Sequence, residues 1–294
     1  MAIERKWWQP LPRALGAGCT GAVNSEVGKM TIELESVVDE LSNVLALEHV
    51  NVQIPDQAMA LAFYVDGLGL TRDPELMTGV VNMWINIGRS QFHLPTGTPQ
   101  VLRGHVGLAL PGREGLLGRL AGLTSEFVGT DFAFAESEEF VEVTSPWGNR
   151  FRCFDPDGQT ERAMSYVAFD VPVGAAGGIA RFYHEVLGAQ TELDEDEGVV
   201  ASCAMGSHQR LVFRETDADL SDYDGHHVQV YLSDIDGPYA KLEERGLAYE
   251  KVEHQYRFKD IVDLDDDKVL FTIEHEVRST GHPLYARPLV NRSL

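Results

Sequence analysis

The chain is short of cysteine, of positive charge and of long apolar runs, and each shortage removes a class of protein. Its three cysteines, Cys19, Cys153 and Cys203, build no disulfide framework and show no Cys-x-x-Cys spacing for a zinc or redox site. Cys153 and Cys203 fall in expected strands and read as small buried hydrophobes, which suits a reducing compartment. Lys and Arg number 24 against 46 Asp and Glu, a formal net charge of −22. Nucleic acid and anionic membrane both need a positive footprint, so neither is expected as a partner. No apolar stretch approaches the length of a membrane span, and no secretory apolar core is present. The expected location is therefore cytoplasmic, or a reducing organelle lumen if the first thirty residues are a targeting segment. The acidic runs 192–197, 217–224 and 263–267 lack the Gly and terminal Glu of a twelve-residue calcium loop. They read as solvated hairpin tips and loops.

What the chain does have is a repeat. Phe63-Tyr64 followed by Leu68-Gly69 returns as Phe182-Tyr183 followed by Leu187-Gly188, a shift of 119 from 63 to 182 and from 68 to 187. Upstream, residues 48–55 match 165–172; downstream, Gly104-His105-Val106 matches His226-His227-Val228. A period this long means a duplicated domain rather than a solenoid. The expected division is an extension over 1–46, a first domain over 47–157, a second over 164–278 and a strap over 279–294. The extension carries apolar residues at helical spacing over 32–45, with Thr31 as cap. A proline-broken 282–288 should lie across a surface, anchored by Tyr285 and Arg287.

Within each half the pattern is strand, helix, then strands, and it occurs twice, so the chain reads as four βαβββ units. Strands are expected over 49–54, 80–87, 90–94, 105–110, 132–135, 140–144 and 150–154, with helices over 57–65 and 114–123. The second half reads likewise, with helices near 179–186 and 238–245. The fold class is α+β: duplicated, paired βαβββ modules with curled, antiparallel-rich mixed sheets and helices outside. Side chains two apart share a strand face. Val50, Val52, Val106, Leu108, Phe151 and Cys153 then pack on helices. The opposite face gathers His49, Asn51, Gln53, Asn82, Trp84, Gln91, His93, His105 and Arg152. An ordinary wet face is rich in Lys, Glu and Thr; this one is a polar cup with an aromatic wall, the composition of a ligand pocket.

Paired βαβββ units, the Phe-Tyr-x-x-x-Leu-Gly helix end and a His opening a strand before Val resemble the vicinal oxygen chelate superfamily over about residues 47–278. That group holds glyoxalase I, extradiol dioxygenases and bleomycin-resistance proteins, so one scaffold serves several chemistries. The resemblance implies metal ligands at the opening residues of two lead strands and a carboxylate on a closing strand. In the first half these positions hold His49, His105 and Arg152, and a guanidinium cannot ligate a metal. In the second half they hold Tyr166, His227 and Glu274, the last with a register uncertain by two residues. Three outcomes stay open: a divalent metal (Fe, Zn, Ni, Mn or Mg) on His49 and His105, completed by Gln91 or His93; a metal on His227 and Glu274; or degraded sites in which Arg152 holds an anionic group. The expected function is a metalloenzyme of isomerase, lyase or dioxygenase type acting on a small oxygenated molecule. Gln91 or His93 would move the proton, Arg152 would meet an oxyanion, and Trp84, Asn51 and Asn82 would hold the substrate. The rivals are a metal-free small-molecule binder of the bleomycin-resistance kind and a scaffold with vestigial sites. A homodimer is also open.

Overall fold

The computed structural model describes residues 42–76, 81–156, 162–196 and 198–292. Four βαβββ modules follow one another. The first is β1 (Val44–Asn51), α1 (Gln57–Leu61, continued by a π-helical turn over Ala62–Gly67), β2 (Thr71–Arg72), β3 (Asn82–Ile87) and β4 (Ser90–Pro95). The second is β5 (Gly104–Ala109), α2 (Arg113–Leu123), β6 (Ala133–Glu136), β7 (Val141–Thr144) and β8 (Arg150–Phe154). The third is β9 (Ala163–Pro172), α3 (Ala176–Glu185), β10 (Thr191–Asp194), β11 (Val200–Ala204) and β12 (Arg210–Thr216). The fourth is β13 (His227–Leu232), α4 (Asp236–Glu244), β14 (Tyr249–Val252), β15 (Gln255–Val262) and β16 (Val269–Ser279). The helix read over 32–45 fails at its end, where Val44 and Leu45 belong to β1; its remainder and Cys19 lie outside the described residues.

The strands form two eight-stranded mixed sheets, and these do not follow the halves of the sequence. One runs β14-β15-β16-β13-β1-β4-β3-β2, the other β10-β11-β12-β9-β5-β8-β7-β6. The first module thus joins the fourth, and the second joins the third, through the antiparallel seams β1·β13 and β5·β9. The segments 47–157 and 164–278 therefore do not each close a sheet of their own. The physical reason is that four similar modules offer similar lead-strand edges. Side-chain alternation says which face is buried and nothing about which edge is paired.

The apolar faces of the two sheets share one core. Val50, Val52, Val106, Leu108, Phe151 and Cys153 are all buried in it, as the alternation requires. The repeated Phe-Tyr pair performs the same packing twice. Tyr64 meets Phe92 with ring centroids 5.2 Å apart, and Tyr183 meets Phe213 at 5.4 Å. Phe92 of one sheet lies 5.9 Å from Phe151 of the other, and Phe169 lies 5.7 Å from Phe271, so aromatic rings weld the sheets. Asp56 caps α1 by accepting from the N–H groups of Ala58 and Met59. With both apolar faces turned inward, the two polar concave faces open away from each other. The acidic runs 217–224 and 263–267 lie in connections between strands, as read from composition, whereas Glu192 and Asp194 of the first run belong to β10.

Candidate functional site

Register places the cup residues of the first sheet in rows. In one row Trp84, His93, Asn51, His227 and Glu274 stand side by side; in the next, Asn86, Gln91, His49, Gln229, Glu276 and Arg257. Trp84 stacks on His93 at 4.0 Å, and His93 stacks on His49 at 3.7 Å. Asn82 sits at the rim, opposite Pro95. Ligand atoms of His49, His227 and Glu276 all lie within 4.8 Å of one another.

A bulge builds the centre of this site. Between Leu47 and His49 the register of β1 against β13 slips, so Glu48 is an extra residue facing no partner of its own. The slip lets Glu48 lie on the same side as its neighbour, and its Oε2 is 2.8 Å from His49 Nδ1. A carboxylate accepts only, so Nδ1 carries the proton and Nε2 keeps the lone pair. That Nε2 is buried without a hydrogen-bond partner, and so is Oε1 of Gln229, the residue opposite His49. Burial, followed by the charges of His227, Arg278 and Arg257, pushes the His49 pKa well below the usual histidine range. Burial and then Arg257 lower His227 to about 4. Both imidazoles are therefore neutral at pH 7, the protonation state a metal requires.

Glu276 is ion-paired with Arg257 and Arg278, and Glu274 with Arg257. Glu274 also accepts a 2.6 Å bond from the Tyr249 hydroxyl. His227 stands between them, with Nδ1 3.6 Å from Glu274 and Nε2 3.8 Å from Glu276. The carboxylate that joins the two histidines is thus Glu276, two residues beyond the one read from the sequence. Gln91 donates to Asp73 and Asn86 at 3.0 and 2.6 Å, which orients its amide so that Oε1 accepts from His93 Nε2 at 3.1 Å. Both side chains belong to one buried network.

His105 and Arg152 lie on the other sheet. The expected convergence of His49 with His105 does not occur, because β1 pairs with β13 and β5 with β9. His105 instead has its Nε2 3.3 Å from the Tyr166 hydroxyl, and Arg152 lies over the Phe140 ring at 4.8 Å. Glu48, Gln229, Glu276, Arg257 and Arg278 were missed. A charged Glu276 two residues after Glu274 on a closing strand was the one available signal.

Beyond Ser279 the chain crosses one end of this cup. Tyr285 packs on Tyr231 at 4.9 Å, Arg287 reaches Asp73 at 2.7 Å, and Asn291 bonds both backbone groups of Gly88.

No family model and no curated protein matches the chain. Solved structures do. A single-residue variant of glyoxalase I from Zea mays superposes with TM-score 0.57 at 13% identity, covering 83% of this chain and 96% of that one. Glyoxalase I from Zea mays itself gives 0.54 at 12%, covering 80% and 92%. A candidate dioxygenase from Bacillus subtilis gives 0.55 at 11%, covering 85% and 92%. Identities so low speak for architecture alone. Four βαβββ modules, joined as two sheets with a polar cup on each, make this chain a bearer of the vicinal oxygen chelate fold.

Proposed function

We propose that the cup of the first sheet holds a divalent metal on His49, His227 and Glu276, with Gln229 Oε1 as a further oxygen. The observation that carries this reading is the orphaned, buried Nε2 of His49, whose other nitrogen is fixed by Glu48. Metal-bound histidines characteristically hand their second N–H to a carboxylate in this way. Two imidazoles and a carboxylate suit Fe, Mn, Ni or Zn. Such an ion, when bound, supplies a Lewis acid and a template for two neighbouring oxygens of a small substrate. The activity read from this is that of an enzyme on a small oxygenated molecule, of isomerase, lyase or dioxygenase type.

The remaining residues divide the work. The Trp84–His93 stack gives the substrate an apolar wall, and Asn51, between His93 and His227, offers a hydrogen bond. Glu274 is more open than Glu48 or Glu276, with 23% of its side chain exposed, and is the acceptor best placed for a proton entering or leaving the cup. Arg257 and Arg278 hold the carboxylate wall in place.

The ion pairs of Glu276 favour the rival reading, a metal-free binder, because they already neutralise the carboxylate. Elemental analysis of untagged protein, before and after incubation with Mn, Fe, Ni and Zn, separates the two. One equivalent of metal, lost in His49→Ala and His227→Ala, is expected. Absence of stoichiometric metal under every condition would leave the binder in its place.

A further inference from the structure

The segment beyond Ser279 holds one buried amide of the first cup from two sides. That amide is Gln91, whose Nε2 donates to Asp73 Oδ2 at 3.0 Å and to Asn86 Oδ1 at 2.6 Å. Each of these acceptors is itself held by the strap. Arg287 Nη2 donates to the same Asp73 Oδ2 at 2.7 Å, and its Nη1 lies 3.7 Å from Glu75. Asn86 Nδ2 donates to the Val290 carbonyl at 2.9 Å. Asn291 fixes that stretch by bonding the N–H and the carbonyl of Gly88 at 2.9 and 2.8 Å.

Donor and acceptor chemistry then leaves one arrangement. A carboxylate and a peptide carbonyl only accept. Facing the Val290 carbonyl, Asn86 must turn its nitrogen to the strap and its oxygen to Gln91. Facing that oxygen and the Asp73 carboxylate, Gln91 must give its nitrogen to both, which leaves Oε1 for His93 Nε2, 3.1 Å away. An amide oxygen only accepts, so His93 carries its proton on Nε2. Burial pushes the His93 pKa well below the usual histidine range, so the ring is neutral and Nδ1 is its bare nitrogen. The same ring stands between Trp84 and His49 in the stacked column of the cup. On the other sheet the positions of Gln91 and His93 hold Arg210 and Val212, so this relay is not part of the shared fold.

The strap also stabilises the charge on which the relay depends. The Asp73 side chain is shielded from water. Burial by itself raises its pKa; the Arg287 bond and the N–H groups of Leu76 and Glu75 outweigh this and hold it below the usual carboxylate range. Without the guanidinium, a carboxylate so buried loses the cation bonded to it and is driven to take up a proton. A proton on Oδ2 would face Gln91. The amide could then turn over, give its nitrogen to His93 and send the ring proton to Nδ1.

We propose that Arg287, with the Val290 carbonyl beside it, is a positioning element of the first cup: the seated strap fixes the Gln91 amide, and through it the tautomer of His93, so that Nδ1 of the cup wall accepts rather than donates. This rests on the reading above only in taking that cup as the working one. The tautomer is read on metal-free protein, so either can fail without the other.

Long-range proton–nitrogen correlation spectra of the histidine rings test it, on the isotope-labelled full chain at neutral pH with a chelator present. The His93 signals are identified by their loss in His93→Gln. In the unaltered chain they should show a protonated Nε2 and a bare Nδ1. Arg287→Met should move the tautomer equilibrium about tenfold toward protonated Nδ1, the scale of one charge-assisted bond. Adding Asn291→Ala, which loosens Val290, should move it further. Arg287→Lys returns a cation and should recover most of the original signal. Arg292→Met removes a strap contact to the Val65 carbonyl and leaves Arg287 in place, so it should lower the melting temperature without moving His93. A strap that only adds stability would make the two variants alike. Should Arg287→Met fold poorly, Arg287→Gln is judged in the same way. The proposal is overturned if His93 of the unaltered chain carries its proton on Nδ1, if the double variant leaves the His93 signals unchanged, or if Arg292→Met moves them as far.

Discussion

Replacing Gln209 by Leu should damage the cup of the first sheet from outside it. Gln209 belongs to the third module, yet its amide is spent on the first. Nε2 donates to Leu47 O at 2.9 Å, Ser90 Oγ at 2.8 Å and Met164 O at 3.1 Å, and Oε1 accepts from Leu47 N at 3.1 Å. Leu47 is the residue before the bulged Glu48, so this one side chain satisfies the backbone on which the Glu48–His49 contact depends. A leucine fills similar volume and meets none of these groups. Ser90 Oγ still donates to Leu47 O at 2.9 Å, so that carbonyl keeps a partner; Leu47 N–H does not. With an unmet buried group worth about 1–3 kcal/mol, the net loss should be about 2–4 kcal/mol. Urea denaturation should show a lower midpoint at unchanged slope, and metal retention should fall as His49 loses its fixed orientation. A stability change below about 0.5 kcal/mol, the ordinary surface range, with metal retained, would show that β13 alone holds the bulge.

Three further outcomes can be checked. Leu108→Ala, in the shared core, should cost about 2–5 kcal/mol through lost burial and a residual cavity, read by denaturant midpoint; a surface-sized change would mean the strand faces are reversed. His227 and His275 titrate at about 4 and His105 at about 3 when folded, against an ordinary 6.5. The unfolded chain therefore binds more protons between about 6.5 and 4, and stability should be complete above that window and fall as pH drops through it. A flat stability profile across the window would contradict the buried, neutral histidines, and affinity for metal should decline over the same interval as protons compete for nitrogen. Gly107→Ala, whose Cβ would lie 2.1 Å from Cε1 of Tyr166, should lift that ring and destabilise by about 1–3 kcal/mol through overpacking; the melting temperature reports it, and an unchanged value would refute the close approach.

The architecture was more legible than the site. Apolar alternation in 49–54, 104–110 and 150–154 and the returning Phe-Tyr-x-x-x-Leu-Gly were enough for modules and buried faces, because both are local patterns with a fixed period. The partner of each module was not, since pairing is a property of edges brought together across the chain, 176 residues from Asn51 to His227 and 65 from Gly104 to Phe169. That single ambiguity sent His49 to His105 instead of His227. Glu48 was hidden for a different reason: strict alternation puts neighbours on opposite faces, and a bulge is the exception that sequence spacing does not announce. Glu276 was displaced by two residues because the register slips between β15 and β16, where Phe258 and Asp260, and then Ile261 and Val262, fall out of step.

The nesting of first module with fourth and second with third also dictates an order of assembly. As the chain leaves a ribosome, the inner sheet has both its partners by residue 216, while β1 must wait for β13 to emerge. Until then the seam-forming edge of β1 is an open strand, the kind that invites pairing with another chain. Contacts this distant in sequence close slowly. A chain ending between residues 216 and 226 would therefore carry every strand of the inner sheet and a bare half-cup, so the group of His49, His227 and Glu276 comes together only once β16 has emerged.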